Sequence, residues 1–382
     1  MIGFRVPLKA LALSLAVGAA PAALAAPIVL EAPNGLSTLA ITGAPGGGFA
    51  IVAQELVPYA GGTDPRIHVY RYEDNGKQRW SRVIDRVGPQ IAKAITYGPG
   101  EILYIAGLDG SELTAMGYQS MLVGIGPRGD IDTDQVFGDP APVEDFLSGV
   151  ALAGGGDLIA AGRNKATPEG TADLEVMRVT TDGTVLWSDK LKNAAKESYP
   201  VVSSSRDGVY VAGSFENRTV YVKRVNEAGQ TIEDFASFTA PRRCAVAQMT
   251  VLPDGGVVLG INLSGGKNQA RIVRIGANGK IVWDKAIDGE ATIADLTLLR
   301  SGVVVIAGTS DDPDTLATGA WLRAFDESGS QIGEILPETQ GETRAGGVTL
   351  DQDGGVYFAY SPIDESIPAQ PVPVIVERIR VE

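Results

Sequence analysis

The chain has 382 residues, 48 of them glycine, with 32 basic against 46 acidic residues and a formal net charge of −14. A surface this acidic repels phosphate backbones, which sets nucleic acid aside as a partner. The single cysteine, Cys244, forbids an internal disulfide, and the single histidine, His68, excludes a histidine-rich metal centre.

Arg5 and Lys9 precede an apolar run at 10–20, and Ala23-Leu24-Ala25 is a small-x-small cleavage signature. This is the pattern of a secretory signal peptide over residues 1–25, too short to anchor in a bilayer. No later stretch is apolar for long enough to cross a membrane. The expected mature chain, 26–382, is one exported domain, periplasmic or extracellular. It is read as a monomer that folds by packing alone, without cofactor or metal.

After the leader, PIVLEA at 27–32 is a strand with no local partner. A first unit follows, with an inner strand at 36–42, the turn GAPGGG at 43–48 and a strand at 49–53. A long loop, a strand at 67–72, the turn EDNG at 73–76 and an outer strand carrying Trp80 complete it. Glycine with Asn and Asp supplies the turn conformations, and the runs between are apolar and β-branched. The order recurs about every 50 residues, a period expected of propeller repeats. Its clearest copy runs from Pro253 to Ile287. First turns end near Gly48, Gly100, Gly156, Gly208, Gly256, Gly302 and Gly355. Second turns sit at Gly76, Gly129, Gly183, Gly229, Gly279 and Gly329, so the last unit, ending in a strand at 374–381, lacks one strand. PIVLEA supplies it. The prediction is an all-β, seven-bladed β-propeller of four-stranded antiparallel blades, closed by 27–32 beside 374–381, which buries two edges that would template aggregation.

The motifs DGGVVLG, GVYVAG and GVVVIAG, and the spacing G-x-x-x-W at Gly76/Trp80, Gly183/Trp187 and Gly279/Trp283, resemble bacterial secreted β-propeller repeats of the quinoprotein-like and delta-60 types over residues 27–382. The resemblance implies the propeller fold and tryptophans that dock neighbouring blades. It carries no site across, because the chain has no adjacent cysteine pair and only one histidine.

Such a ring has two unlike faces. One gathers short glycine turns with little side-chain chemistry. The other gathers the crossings between blades and the long loops at 54–65, 107–118, 162–172, 308–319 and 360–372, and is the expected working face. Residues just ahead of the inner strands should ring the channel there: Gln90, Asp145, Tyr199, Arg242, Arg243, Glu290 and Arg344. Ala94, Ala151, Ser203, Ser204 and Ala247 keep the converging inner strands small. Arg242, Arg243 and Arg344 form a basic group in an acidic protein. They either hold an anionic group by forked hydrogen bonds or pair with Asp145, Glu290 or Glu342 across blades. Another arginine recurs five residues before the second turn glycine, at Arg71, Arg178, Arg224 and Arg274, with Arg378 in the matching place of the last unit. Repetition marks it as architectural, pairing between blades.

Catalytic signals are sparse. His68 belongs to the first unit and Cys244 to the fifth, too far apart for a nucleophile–base pair. Asp130, Asp132 and Asp134 alternate along an outer strand, which sends all three to solvent, and the segment lacks the glycine and closing glutamate of a calcium loop. The functional expectation is a secreted, non-enzymatic binding or scaffold propeller that takes a protein or saccharide partner on its long-loop face. The alternative is a carboxylate-dependent hydrolase or lyase at the channel mouth, with Asp145, Asp288 and Glu290 the first residues to test.

Overall fold

A computed structural model of the chain describes residues 26–59, 62–110, 118–138, 145–165, 173–191, 199–205, 208–215, 218–225, 232–265, 269–311, 318–337, 341–351, 353–363 and 372–379. The leader read at 1–25 lies outside them. Among the described residues no helix is long and apolar enough to cross a membrane.

Twenty-eight strands form seven four-stranded antiparallel sheets. The inner strands of blades 1 to 7 are Ser37–Gly43, Gln90–Tyr97, Phe146–Leu152, Val201–Ser205, Cys244–Val251, Glu290–Leu298 and Glu342–Leu350. The seventh blade is completed by the strand Ile28–Leu30, which pairs antiparallel with Val374–Ile379 in the register Ile28↔Val376, Val29↔Ile375 and Leu30↔Val374. Closure by the two chain ends therefore holds as the turn count required.

Each core layer lies between two blades. Ala50, Val52, Ile67 and Val69 of blade 1 pack against Leu103, Ile105, Met121 and Val123 of blade 2, and six further layers of this kind complete the ring. A second strand is thus covered on both faces, which is why Leu103–Asp109 is buried along its whole length and reads as a nearly continuous apolar run.

Two repeated devices fasten the turns. Trp80 on the outer strand of blade 1 donates its indole N–H to the Pro127 carbonyl of blade 2 at 3.1 Å, and Trp283 of blade 5 donates to the Glu327 carbonyl of blade 6 at 2.9 Å. Each ring lies against the turn glycine of the next blade, where a Cβ on Gly129 or Gly329 would stand 3.2 or 2.8 Å from it. Both glycines also have positive φ, 89° and 77°, so that position resists any other residue for two reasons. The repeated arginine behaves differently from its expected role between blades. Arg178 binds Asp157, Arg274 binds Asp254 at 3.0 Å and Arg378 binds Asp351 at 2.8 Å, each in the first turn of its own blade. Arg71 reaches the Gly47 carbonyl in the same place at 2.7 Å. Arg274 also reaches the next blade, through the Glu327 carbonyl at 2.7 Å. The reason is register: the third strand runs beside the second, so its residue near the turn faces the turn that begins that strand.

The long loop expected at 54–65 is instead a β-hairpin. Phe49–Tyr59 and Gly62–Tyr72 stay paired out to Tyr59↔Gly62. Its base is fixed by Glu55, which is 4% exposed and accepts from the backbone and side-chain N–H groups of Asn34 at 3.1 and 2.8 Å, with His68 Nε2 at 2.8 Å. Burial alone would push Glu55 up, but the hydrogen bonds from His68 and Asn34 outweigh it and hold the carboxyl below the usual range. The tips of the other four long loops, at 111–117, 166–172, 312–317 and 364–371, lie outside the described residues.

Candidate functional site

The seven inner strands enclose a central cavity of about 490 Å³. Ala94, Ala151, Ser203, Ser204 and Ala247 all line it, as crowding at the axis demands. What sequence periodicity does not reveal is a one-residue bulge. Six inner strands carry one, and the extra residues are Leu39, Lys93, Ser148, Ala247, Ala294 and Gly346. Blade 4 pairs without a shift. A bulge re-aims side chains locally, and all six bulged residues line the cavity. In blades 2 and 3 it is made possible by Gly107 and Gly162, where a Cβ would collide with the carbonyls of Ile91 and Phe146.

Five of these six positions are apolar or hydroxylic; the remaining one is a lysine. Lys93 makes no hydrogen bond or ion pair among the described residues. Its Nζ lies 5.6 Å from the ring centroid of Tyr199, and Tyr199 in turn stacks on Phe146 with centroids 5.3 Å apart. Burial in the channel pulls the Lys93 ammonium below the ordinary lysine range. Tyr199 remains 47% exposed. Tyr199 lies just ahead of the inner strand of blade 4, and Lys93 is the fourth residue of the inner strand of blade 2.

One residue further along their strands, at equivalent register, stand Gln248 of blade 5 and Asp295 of blade 6. Asp295 accepts from the Leu296 N–H at 2.8 Å and from the Val348 N–H of blade 7 at 3.1 Å, and the Gln248 side chain also bonds to it. It is densely surrounded, and burial pushes its carboxyl up to about 6 despite those three donors. Gln248 uses its carbonyl oxygen on the Met249 N–H at 3.0 Å. Ser148 donates to the Pro200 carbonyl at 2.7 Å, which ties blade 3 to blade 4 behind Tyr199. Among the described residues lining the cavity, Asp295 is the only carboxylate and Lys93 the only cation.

Of the seven residues expected at the channel rim, Tyr199 lines this cavity and the other six do not. Gln90 is fully buried, and its amide holds the crossing before it through the Arg86 N–H at 3.1 Å and the Gly88 carbonyl. Asp145, 4% exposed, accepts from the Lys165 N–H at 3.2 Å. Arg242 is half-buried and Arg243 exposed in the crossing to blade 5, where the Arg243 carbonyl accepts from Ser264 N–H at 2.8 Å. Glu290 and Arg344 are exposed, the first and third residues of the inner strands of blades 6 and 7. Arg344 thus stands two blades from Arg242 and Arg243. Sequence reading passed over Lys93, Gln248 and Asp295; an ionisable residue inside an inner strand, where the repeats otherwise place small or apolar ones, is the signal that marks them.

Cys244 opens the inner strand of blade 5, buried, and burial pushes its thiol up to about 11 against the nearby charge of Arg218. His68 sits on the third strand of blade 1, so the two share no site.

No protein-family model matches the sequence, and no curated protein matches it. Solved structures do. The chain is similar to the WD40 repeats of RRP9 at 12% identity and a TM-score of 0.61, over 94% of this chain and 99% of that one. It is similar to a polysaccharide lyase, an ulvan lyase bound to a GlcA–Rha3S saccharide, at 11% identity and a TM-score of 0.60, over 92% and 96%. The periplasmic gluconolactonase of Pseudomonas aeruginosa matches at 16% identity and a TM-score of 0.51, over 86% and 98%. At these identities the likeness establishes the β-propeller fold alone.

Proposed function

We propose that this protein is an exported, non-enzymatic binding propeller. It takes a protein or saccharide partner on the face that gathers the blade crossings and long hairpins, with the mouth of the central channel as the recognition centre. The observation that carries this reading is the chemistry of the channel lining: among the described residues, hydroxyls, an amide, an exposed tyrosine and a lysine with no carboxylate partner surround a single acid whose oxygens already accept backbone N–H groups. Carboxylate chemistry of the glycosidase kind needs two carboxyl groups flanking one bond. Among the described residues, the cavity lining offers one. The leader pattern at the amino end supports export, and the fold by itself implies no reaction.

The test is capture followed by product analysis. Mature protein incubated with an envelope extract of an exporting cell is expected to retain a partner whose mass is unchanged after release. Appearance of cleaved or eliminated fragments over time, lost on Asp295→Asn, would move the reading to a hydrolase or lyase at the channel mouth.

A further inference from the structure

The ring of bulged residues carries one cation, and the physics of its surroundings narrows what it can hold. We propose that the channel mouth is a binding site for a hydroxylated monocarboxylate, such as a sugar acid or the uronate unit of a saccharide, with Lys93 taking the carboxylate. This inference rests on the binding reading above and names the ligand class.

Four observations select that class. First, Lys93 is satisfied by no oxygen of the protein among the described residues, and its only ring neighbour is Tyr199 at 5.6 Å. A partly desolvated ammonium without an acceptor gains a charge-assisted hydrogen bond when an anion arrives. Second, among the described residues the lining holds one lysine and no arginine, so it compensates one negative charge. The net charge of −14 opposes the approach of a polyanion, which leaves a singly charged group as the best match. Third, the far side of the lining is of opposite sense. Asp295, one register position further in and held by Leu296 N–H, Val348 N–H and the Gln248 side chain, has no cation beside it among the described lining residues. A second anionic group of the ligand is repelled there. Fourth, Thr96, Ser203, Ser204, Thr250 and Thr297 add hydroxyls that both donate and accept, and the volume of about 490 Å³ lies within the range of small-molecule sites. Tyr199 has a structural part in this. Its ring, backed by Phe146, positions the Lys93 ammonium by a cation–π contact.

The experiment is calorimetric titration of the mature chain with four probes: D-glucuronate, D-glucose, D-glucose 6-phosphate and 6-aminohexanoate. D-glucuronate is expected to bind, with D-glucose at least about 10-fold weaker, the usual value of a hydrogen bond to a charged group. Lys93→Gln and Lys93→Met are each expected to lose D-glucuronate by about 10-fold or more while melting as the wild type does, and Lys93→Arg to recover most of it. Equal affinity for D-glucuronate and D-glucose overturns the proposal, as does unchanged binding by folded Lys93→Met. Tighter binding of the phosphate ester reassigns the site to phosphates, and tighter binding of 6-aminohexanoate reassigns it to amino acids; both refute the class proposed. If no probe binds while the envelope partner is still captured, the ligand class fails and the binding propeller stands. If neither occurs, both fail.

Discussion

The turn face and the channel lining are made by the same seven repeats, and they differ in how far they obey them. On the turn face, an arginine near the end of the third strand recurs and returns to its own blade's first turn, as Arg178 does to Asp157 and Arg378 to Asp351. Trp80 and Trp283 recur on outer strands and dock on the next turn glycine. In the channel, the bulge position recurs in six blades but its occupant varies, from Leu39 through Lys93 and Ser148 to alanine in blades 5 and 6 and Gly346 in blade 7. Residues that repeat hold the ring together. A charged residue that breaks the repeat at an open position has no such duty, and that asymmetry points the binding site to Lys93.

The sharpest way to break this comparison is to open the ring. A leaderless chain that begins at Pro33 lacks Ile28–Leu30 and exposes the edge of Val374–Ile379. It is expected to lose cooperative unfolding and to aggregate, measured by calorimetry and light scattering. A soluble chain with the wild-type melting temperature would show that closure contributes little. Next in size is the clamp of the last blade. Asp351 is 6% exposed, so Arg378→Ala leaves a buried carboxylate without its partner and is expected to cost about 3 kcal/mol in urea unfolding. Lys223→Ala, which breaks an ion pair whose Asp234 side chain is largely in solvent, is expected to cost less than about 1 kcal/mol. If the two variants fall equally, the clamp is not the structural element described above.

A smaller effect separates Asp295 from both groups. Its carboxyl is pushed up to about 6 in the fold, above its ordinary value. The native state therefore binds a proton more tightly than the unfolded chain does. The stability this contributes is complete below about pH 4 and is lost as pH rises through about 6. Among the described residues, the other titratable groups lining the cavity are Lys93 and Tyr199. Asp295→Asn removes the titration and one acceptor of backbone N–H. Its destabilisation relative to wild type is expected to be larger at pH 4.5 than at pH 7.5, by up to about 2 kcal/mol in paired urea curves. A difference that stays constant across that range would place the carboxyl at its ordinary value.

Most of the architecture was readable because turns and strands have local chemistry. Seven first turns against six second turns, with PIVLEA left over, determine blade number and closure without any coordinates. The repeated arginine was legible as architecture, but its partner was not, since whether Arg178 meets its own blade or the next depends on register across a turn. The hairpin at 49–72 was hidden because Pro58, Gly61 and Gly62 read as loop residues, while Glu55, Asn34 and His68 fix its base through contacts between sequence-distant elements. The site was the least legible part. A bulge shifts the facing of a side chain by one residue and leaves no mark in composition. Lys93 stands out in the sequence as an ionisable residue in an inner strand, but the side it faces does not, and rim residues such as Gln90 and Asp145 read as channel-facing although they are buried and fasten crossings and loops.

The most direct measurement follows the lysine itself. Reductive methylation with a carbon-13 label keeps the charge on lysine amines and gives each one a resonance, and the Lys93 signal is identified by its absence in Lys93→Arg. Addition of D-glucuronate is predicted to move that signal saturably, with D-glucose leaving it in place. A Lys93 signal that stays put while D-glucuronate binds elsewhere, or that moves equally with both sugars, would contradict the account.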